Sequence, residues 1–199
     1  SDQQGVISAL ALDQRGSLRK AMEQLKGCEI SEIKMSEFKI VTTQVLSPYT
    51  SAVLLDPEYG LDAIQLRPPD VGLLLSYEKS GYDSTIKGRL PSLLNGWSVR
   101  RLVEVGANAI KVMIYYDPDD DTQVNTIKSA FVERIGAECN AFDVPFFLEV
   151  LSYDKKIGDE KSLAFARIKP RKVKESMREF SRPQYGVDVL KVEAPVNVR

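Results

Sequence analysis

Six short stretches of nearly unbroken apolar character recur along the chain: Gly5–Leu12, Ser51–Leu55, Val71–Tyr77, Ala107–Tyr116, Val144–Leu151 and Gly186–Glu193. They lack apolar/polar alternation, which is the pattern of parallel strands covered on both faces. Longer amphipathic segments lie between them. Ser17–Leu25 and Ser31–Leu46 predict helices after the first strand, with Ser31 a helix start and Ser47-Pro48 a stop. Pro91 is expected to open a helix through Trp97 to Val105, ended by Gly106. Asp121–Phe142 and Lys161–Phe180 predict two more.

Strands alternating with helices give an α/β fold with a parallel sheet. An open doubly wound sheet should carry a glycine-rich phosphate turn after its first strand. Here that strand runs into Asp13-Gln14-Arg15-Gly16, which is no such turn. A (β/α)8 barrel is the better match, of which this chain supplies about the first six βα units as one domain, 1–199. A complete barrel takes roughly 250 residues, so the natural chain is expected to continue by about two units, and the sixth strand to leave an unpaired apolar edge.

Charges placed inside apolar strands narrow the chemistry. Lys111 sits in AIKVMI, Glu149 in FFLEVL and Lys191 in VLKVE. Lysine and glutamate are almost never fully buried without a partner, so these groups must meet each other, a ligand or water. Side chains alternate faces along a strand; if the charged faces point inward, strands four to six deliver Lys, Glu and Lys to adjacent positions. Asp13, Asp56 and Glu78 follow the first three strands, at the end from which barrels draw catalytic residues. A bland alternative is an internal ion-pair layer that merely closes the barrel. For Asp56 the alternative is a turn before Pro57, and for Glu78 a local cap or pair. Arg67–Asp70 reads as a surface turn, and the acidic run Asp117–Asp121 as a solvated loop leading into a helix rather than a cation site.

Composition removes several classes of function. The chain has no histidine, which excludes Ser-His-Asp and Cys-His mechanisms and histidine-ligated zinc from this stretch. A formal net charge of -1 argues against a nucleic-acid partner. No run approaches the ~18 apolar residues of a membrane span, and residues 1–4 carry no signal-like pattern. Cys28 and Cys139 are far apart and read as reduced thiols of a cytoplasmic protein. Acid–base work falls to carboxylates, lysines and tyrosines. A lysine amine is nucleophilic when neutral; burial and a neighbouring cation both lower its pKa. Lys191, with Lys111 nearby, has both prospects, and could attack a ketone to form an iminium. Glu149 could shuttle protons and Asp13 could orient Lys191 or stabilise the iminium. None of this requires a metal or other cofactor.

The blocks ISALALDQRGSL, LLDPEYGL, GLLLSYEKSGYD, AIKVMIYYD, RIGAEC, VPFFLEVLSYD, KPRKV and DVLKVEAPVN, in that order from Gly5 to Asn197, resemble the class I tagatose 1,6-bisphosphate aldolases of lactose and galactose catabolism. The resemblance implies a (β/α)8 barrel and metal-free cleavage of a sugar bisphosphate to dihydroxyacetone phosphate and glyceraldehyde 3-phosphate. It implies the Schiff-base lysine at Lys191, the acid–base glutamate at Glu149, supporting groups at Asp13 and Lys111, and substrate contacts at Gln14 and Arg15. It also implies a homodimer. Sister aldolases for fructose 1,6-bisphosphate or a sulfo-sugar phosphate, and a regulatory barrel that senses sugar phosphates, are the alternatives.

Overall fold

The computed structural model describes residues 5–194. Six strands, β1 (Ala9–Ala11), β2 (Ala52–Leu55), β3 (Gly72–Ser76), β4 (Ala109–Tyr116), β5 (Phe146–Ser152) and β6 (Val189–Val192), form one sheet in sequential order. Every adjacent pair is parallel. The helices are α1 (Gly16–Lys26), α2 (Glu32–Leu46), α3 (Val99–Glu104), α4 (Thr122–Ala141) and α5 (Leu163–Phe180). Sequential order without reversal is the topology of a barrel wall, not of a doubly wound sheet.

The two faces of the sheet differ in kind. Val53, Leu55, Leu73, Leu75, Ile110, Val112, Ile114, Leu148 and Val150 belong to one large buried cluster with helix residues such as Val132, Ile135 and Phe180. The opposite face carries a separate, smaller cluster: Ala52, Leu54, Leu74 and Ala109, with Ala11 and Phe147 beside them. Period-2 alternation thus sends one set of apolar groups outward to the helices and leaves the concave side to this cluster below and to charges above.

Most elements follow the sequence pattern, with ends pulled in where hydrogen bonding stops. The expected strand Gly5–Leu12 shrinks to Ala9–Ala11, because β2 gives it three register partners, Ala52 to Leu54. Helix α2 starts where Ser31 caps it, its Oγ accepting the Lys34 amide at 3.3 Å. The helix expected from Pro91 begins only at Val99, capped by Ser98. The reason lies upstream: Glu78 bridges Leu93 in antiparallel fashion, the Lys79 amide donates to Ser92 O and the Leu94 amide to Tyr77 O. Folded back on the end of β3, residues 90–94 are committed to extended backbone. Residues 1–4, and the Pro195–Asn197 portion of the last sequence block, lie outside the described residues.

One expectation is overturned at the acidic run. Asp117 is fully buried, not solvated. Asp117, Asp119 and Asp154 converge closely enough to hold a cation, and the ammonium of Lys172 takes that place, bonded to Asp117, to Asp119 at 3.2 Å and to Asp154 at 2.9 Å. Burial opposes the Lys172 charge, but its hydrogen bonds to the three carboxylates outweigh burial and raise its pKa. The pin ties α5 to the ends of β4 and β5.

Candidate active site

A cavity of about 470 Å³ opens at the C-terminal rim of the strands. Inward-facing positions of β4, β5 and β6 supply Lys111, Glu149 and Lys191, while Asp13 and Glu78 follow β1 and β3. The register explains the meeting. Glu149 lies directly across from Lys191 in the β5–β6 ladder. Lys111 pairs with Phe147, two residues below Glu149, so its longer side chain rises to the same level.

Glu149 bridges the two lysines, its Oε1 standing 2.8 Å from Lys191 Nζ and its Oε2 2.8 Å from Lys111 Nζ. Lys111 Nζ also reaches Asp13 Oδ2 at 2.7 Å and Glu78 Oε1 at 2.8 Å. One ammonium therefore sits among three carboxylates. Burial works against that charge, yet Glu78, Asp13 and Glu149 together hold the Lys111 pKa above the ordinary lysine value. Lys111 is a permanent cation in the site, not an exchangeable one.

Glu78 shows the opposite balance. It is 3% exposed, and burial pushes its pKa up despite Lys111. Its Oε2 is buried with no hydrogen-bond partner. The local-cap reading of Glu78 is thereby corrected: it is part of the cavity wall and a partner of Lys111. Its place after β3, at the end from which barrels draw catalytic residues, is where the sequence pattern put it. Asp56 behaves otherwise. It is fully buried, accepts the amides of Glu58 and Tyr59 at 3.0 and 2.9 Å, and is paired with Lys39. It caps a turn, as the modest reading held, and is not part of the cavity lining.

The Lys191 side chain is 45% exposed where β6 pairs only with β5 among the described residues, and the contact that can take its proton is Glu149. Asp13 pairs with Lys111, so any influence on Lys191 passes through Lys111 and Glu149. Gln14 is exposed on the cavity wall. Arg15 is 5% exposed and its guanidinium is already engaged, donating to Glu58 Oε2 at 2.5 Å and to the Glu78 carbonyl at 2.6 Å. Tyr115, on the same face of β4 as Lys111, completes the rim and meets Tyr82 edge-on at 5.0 Å. Behind it, the Arg89 guanidinium lies over the rings of Tyr82, Tyr115 and Tyr153.

Comparison with known proteins agrees with this architecture. The DeoC/LacD family aldolase profile matches residues 7–199. The chain is 55% identical over its whole length to tagatose 1,6-diphosphate aldolase 2 of Enterococcus faecalis, covering 60% of that protein. It is 54% identical to tagatose 1,6-diphosphate aldolase of Listeria monocytogenes, covering 59% of it. The chain thus spans about 60% of the length of the curated relatives it matches. Among solved structures, an archaeal fructose 1,6-bisphosphate aldolase superposes with a TM-score of 0.63 at 15% identity, over 98% of this chain and 67% of that one. That likeness identifies the six strands as part of a barrel wall. No helix among the described residues is long and apolar enough to cross a membrane. With a family match across nearly the entire chain, a relative at 55% identity and a barrel-wall fold in common with a solved aldolase, this chain belongs to the DeoC/LacD family of aldolases.

Proposed function

We propose that the protein carrying this chain is a class I aldolase that cleaves D-tagatose 1,6-bisphosphate to dihydroxyacetone phosphate and D-glyceraldehyde 3-phosphate, with Lys191 as the Schiff-base nucleophile. The observation that carries the reading is the bridge of Glu149 between Lys191 and Lys111, each at 2.8 Å. A carboxylate in contact with the amine can accept its proton, and a fixed second cation favours that loss. The 52–55% identical relatives are named as tagatose 1,6-diphosphate aldolases, which supports the choice of substrate class.

The chemistry follows from the contacts. Neutral Lys191 Nζ adds to the C2 ketone, and Glu149 relays protons as the carbinolamine loses water to give an iminium. The iminium draws the electron pair of the C3–C4 bond as the C4 hydroxyl gives its proton to the Glu149 carboxylate, and the three-carbon aldehyde leaves. The enamine regains a proton at C3, and water releases dihydroxyacetone phosphate. Lys111, held by Asp13 and Glu78, keeps a positive charge beside Glu149 throughout. Gln14, Gly16 and Ser17 border the cavity at the start of α1, where backbone amides favour an anionic group, and Gln14 is the better placed of the two expected substrate contacts. We take the working form to be a cytoplasmic homodimer, which sedimentation of the purified protein tests.

The deciding experiment traps the Schiff base. The intact protein is incubated with dihydroxyacetone phosphate, reduced with borohydride and mapped by mass spectrometry. The expected result is one adduct on Lys191, absent from Lys191→Met. A folded protein that gives no adduct overturns the reading. Parallel turnover with the tagatose and fructose bisphosphates then assigns the C4 preference.

A further inference from the structure

Helix α2 carries a lysine where its apolar row faces the sheet. Met35, Lys39 and Thr43 recur every four residues and all are fully buried. Lys39 Nζ spends its three protons on three acceptors: Leu12 O at 2.6 Å, Gln14 O at 2.9 Å and Asp56 Oδ2. The two carbonyls flank Asp13. Asp56, the third acceptor, orders the turn that presents Glu58, and Glu58 holds one arm of Arg15 whose other arm grips the Glu78 carbonyl. The links lead to Asp13, Gln14, Arg15 and Glu78, which line the cavity.

Stability alone does not account for this arrangement. A buried ion pair is often matched or bettered by apolar residues of similar size, and Lys39 has its pKa lowered by burial against the pull of Asp56. What an apolar residue could not do is satisfy two inward carbonyls of the loop between β1 and α1. That loop is short, follows a strand of three residues, and enters α1 through Arg15 without a side-chain cap. Lys39 fixes its backbone carbonyls, while Lys111 holds the Asp13 side chain and Glu58 and the Glu78 carbonyl hold that of Arg15.

We propose that Lys39 is a positioning residue for the aldolase reaction, clamping the backbone on both sides of Asp13 so that its carboxylate stays on Lys111 and Arg15 stays between Glu58 and Glu78. The proposal rests on the Schiff-base reading of the cavity. It assigns Lys39 no contact with substrate; its effect passes through Asp13 and Lys111.

The test uses the intact protein with Lys39→Met/Asp56→Asn, which leaves no bare charge behind, and Lys128→Met as a control that removes another fully buried lysine, on α4. A loop displaced by a fraction of an ångström to one ångström is expected to lower kcat about 10- to 100-fold, with KM within about threefold and amide exchange at residues 13–16 accelerated about tenfold or more. Lys128→Met should leave all three near wild type. A folded double variant with unchanged kcat and exchange overturns the proposal, as does an equal loss in the control. Should the double variant not fold, Lys39→Gln/Asp56→Asn, whose glutamine side chain ends one atom short of the ammonium and so does not reach both carbonyls, is read in the same way, and wild-type kcat and exchange there equally overturn the proposal. If the wild-type protein forms no adduct on Lys191, the aldolase reading falls by itself, and amide exchange still decides whether Lys39 holds the loop.

Discussion

Glu149 and Lys191 are register partners across β5 and β6, and their ion pair at 2.8 Å is a direct outcome of strand pairing. In a parallel ladder a one-residue slip would turn one of the two to the helix-covered face. The pair is therefore as well determined as the sheet. Glu149→Gln keeps the shape and removes the base. Turnover is expected to fall about 10²- to 10⁴-fold, while the borohydride adduct still forms on Lys191, more slowly. Single-turnover trapping with dihydroxyacetone phosphate checks both parts, and an unchanged trapping rate would remove Glu149 from imine formation.

Lys111 is the keystone of the cluster, and its removal should be felt as instability as well as lost activity. Lys111→Met leaves Asp13, Glu78 and Glu149 facing one another, and breaking a buried pair in this way costs about 3–5 kcal/mol. The pH dependence has a definite sign. A lysine whose folded pKa lies above the unfolded value of about 10.4 contributes stability that is fully present below that pH and lost only as pH rises through the folded value. Urea midpoints of wild type and variant between neutral and strongly alkaline pH should differ by a constant amount up to about pH 10 and converge beyond it.

Glu78 predicts the reverse trend on the acid side. Its pKa is raised by burial, so the folded protein holds a proton that the unfolded chain releases near pH 4.5. Wild-type stability therefore declines, relative to Glu78→Gln, as pH climbs above that value toward the folded pKa. Thermal melts of the two proteins across the weakly acidic range measure this directly. A parallel pair of pH–stability curves would show that Glu78 does not carry the raised pKa.

Much of this site could be read in the sequence because strands leave a simple signature. Lys111, Glu149 and Lys191 each interrupt an apolar run, and parity, with the charged faces taken to point inward, set them at adjacent positions. What could not be read falls into two kinds. Lys39, Lys128 and Lys172 lie on helices, where lysines are common and a single one in the apolar row looks like an end of that row rather than a pin. Their hydrogen-bond partners lie far along the chain: Asp56 is 17 residues from Lys39, Tyr153 is 25 from Lys128, and Asp117 is 55 from Lys172. Exposure was the second kind. The exposure of a strand residue such as Lys191 depends on which strands flank it, and β6 is flanked on one side among the described residues. The delayed start of α3 has the same origin, a non-local bridge between Glu78 and Leu93.

Lys128 gives a stability prediction free of catalytic assumptions. It is fully buried, donates to Tyr153 Oη at 3.0 Å, and burial depresses its pKa to about 8 despite the pull of Asp120 and Asp117. Below that pH the folded protein carries the ammonium at a cost, and the cost is relieved as pH rises from about 8 toward the unfolded value of about 10.4. Lys128→Met removes that cost together with the bond to Tyr153, so its stability relative to wild type is expected to be highest at neutral pH and to fall through the alkaline range. A relative stability that grows with pH would contradict the depressed pKa.

Gly136 marks where backbone meets backbone. It lies in α4 within the RIGAEC block, and a Cβ built on it would stand 1.9 Å from the carbonyl oxygen of Tyr185. The obstacle is main chain and cannot swing away. Tyr185, 1% exposed, packs with Phe180, whose ring in turn meets Tyr116 on β4, and the adjoining Gly186 leads into β6. Gly136→Ala must push α4 from the turn that launches β6. Overpacking of this kind costs about 1–3 kcal/mol, and here the displaced element carries Lys191. The expected variant is therefore less stable in urea and also slower to form the Schiff base. The two effects separate by temperature: well below the melting transition the folded fraction is complete, so a reduced trapping rate there reports the shift of β6 alone, and an unaltered rate would mean that the turn yields without moving the strand.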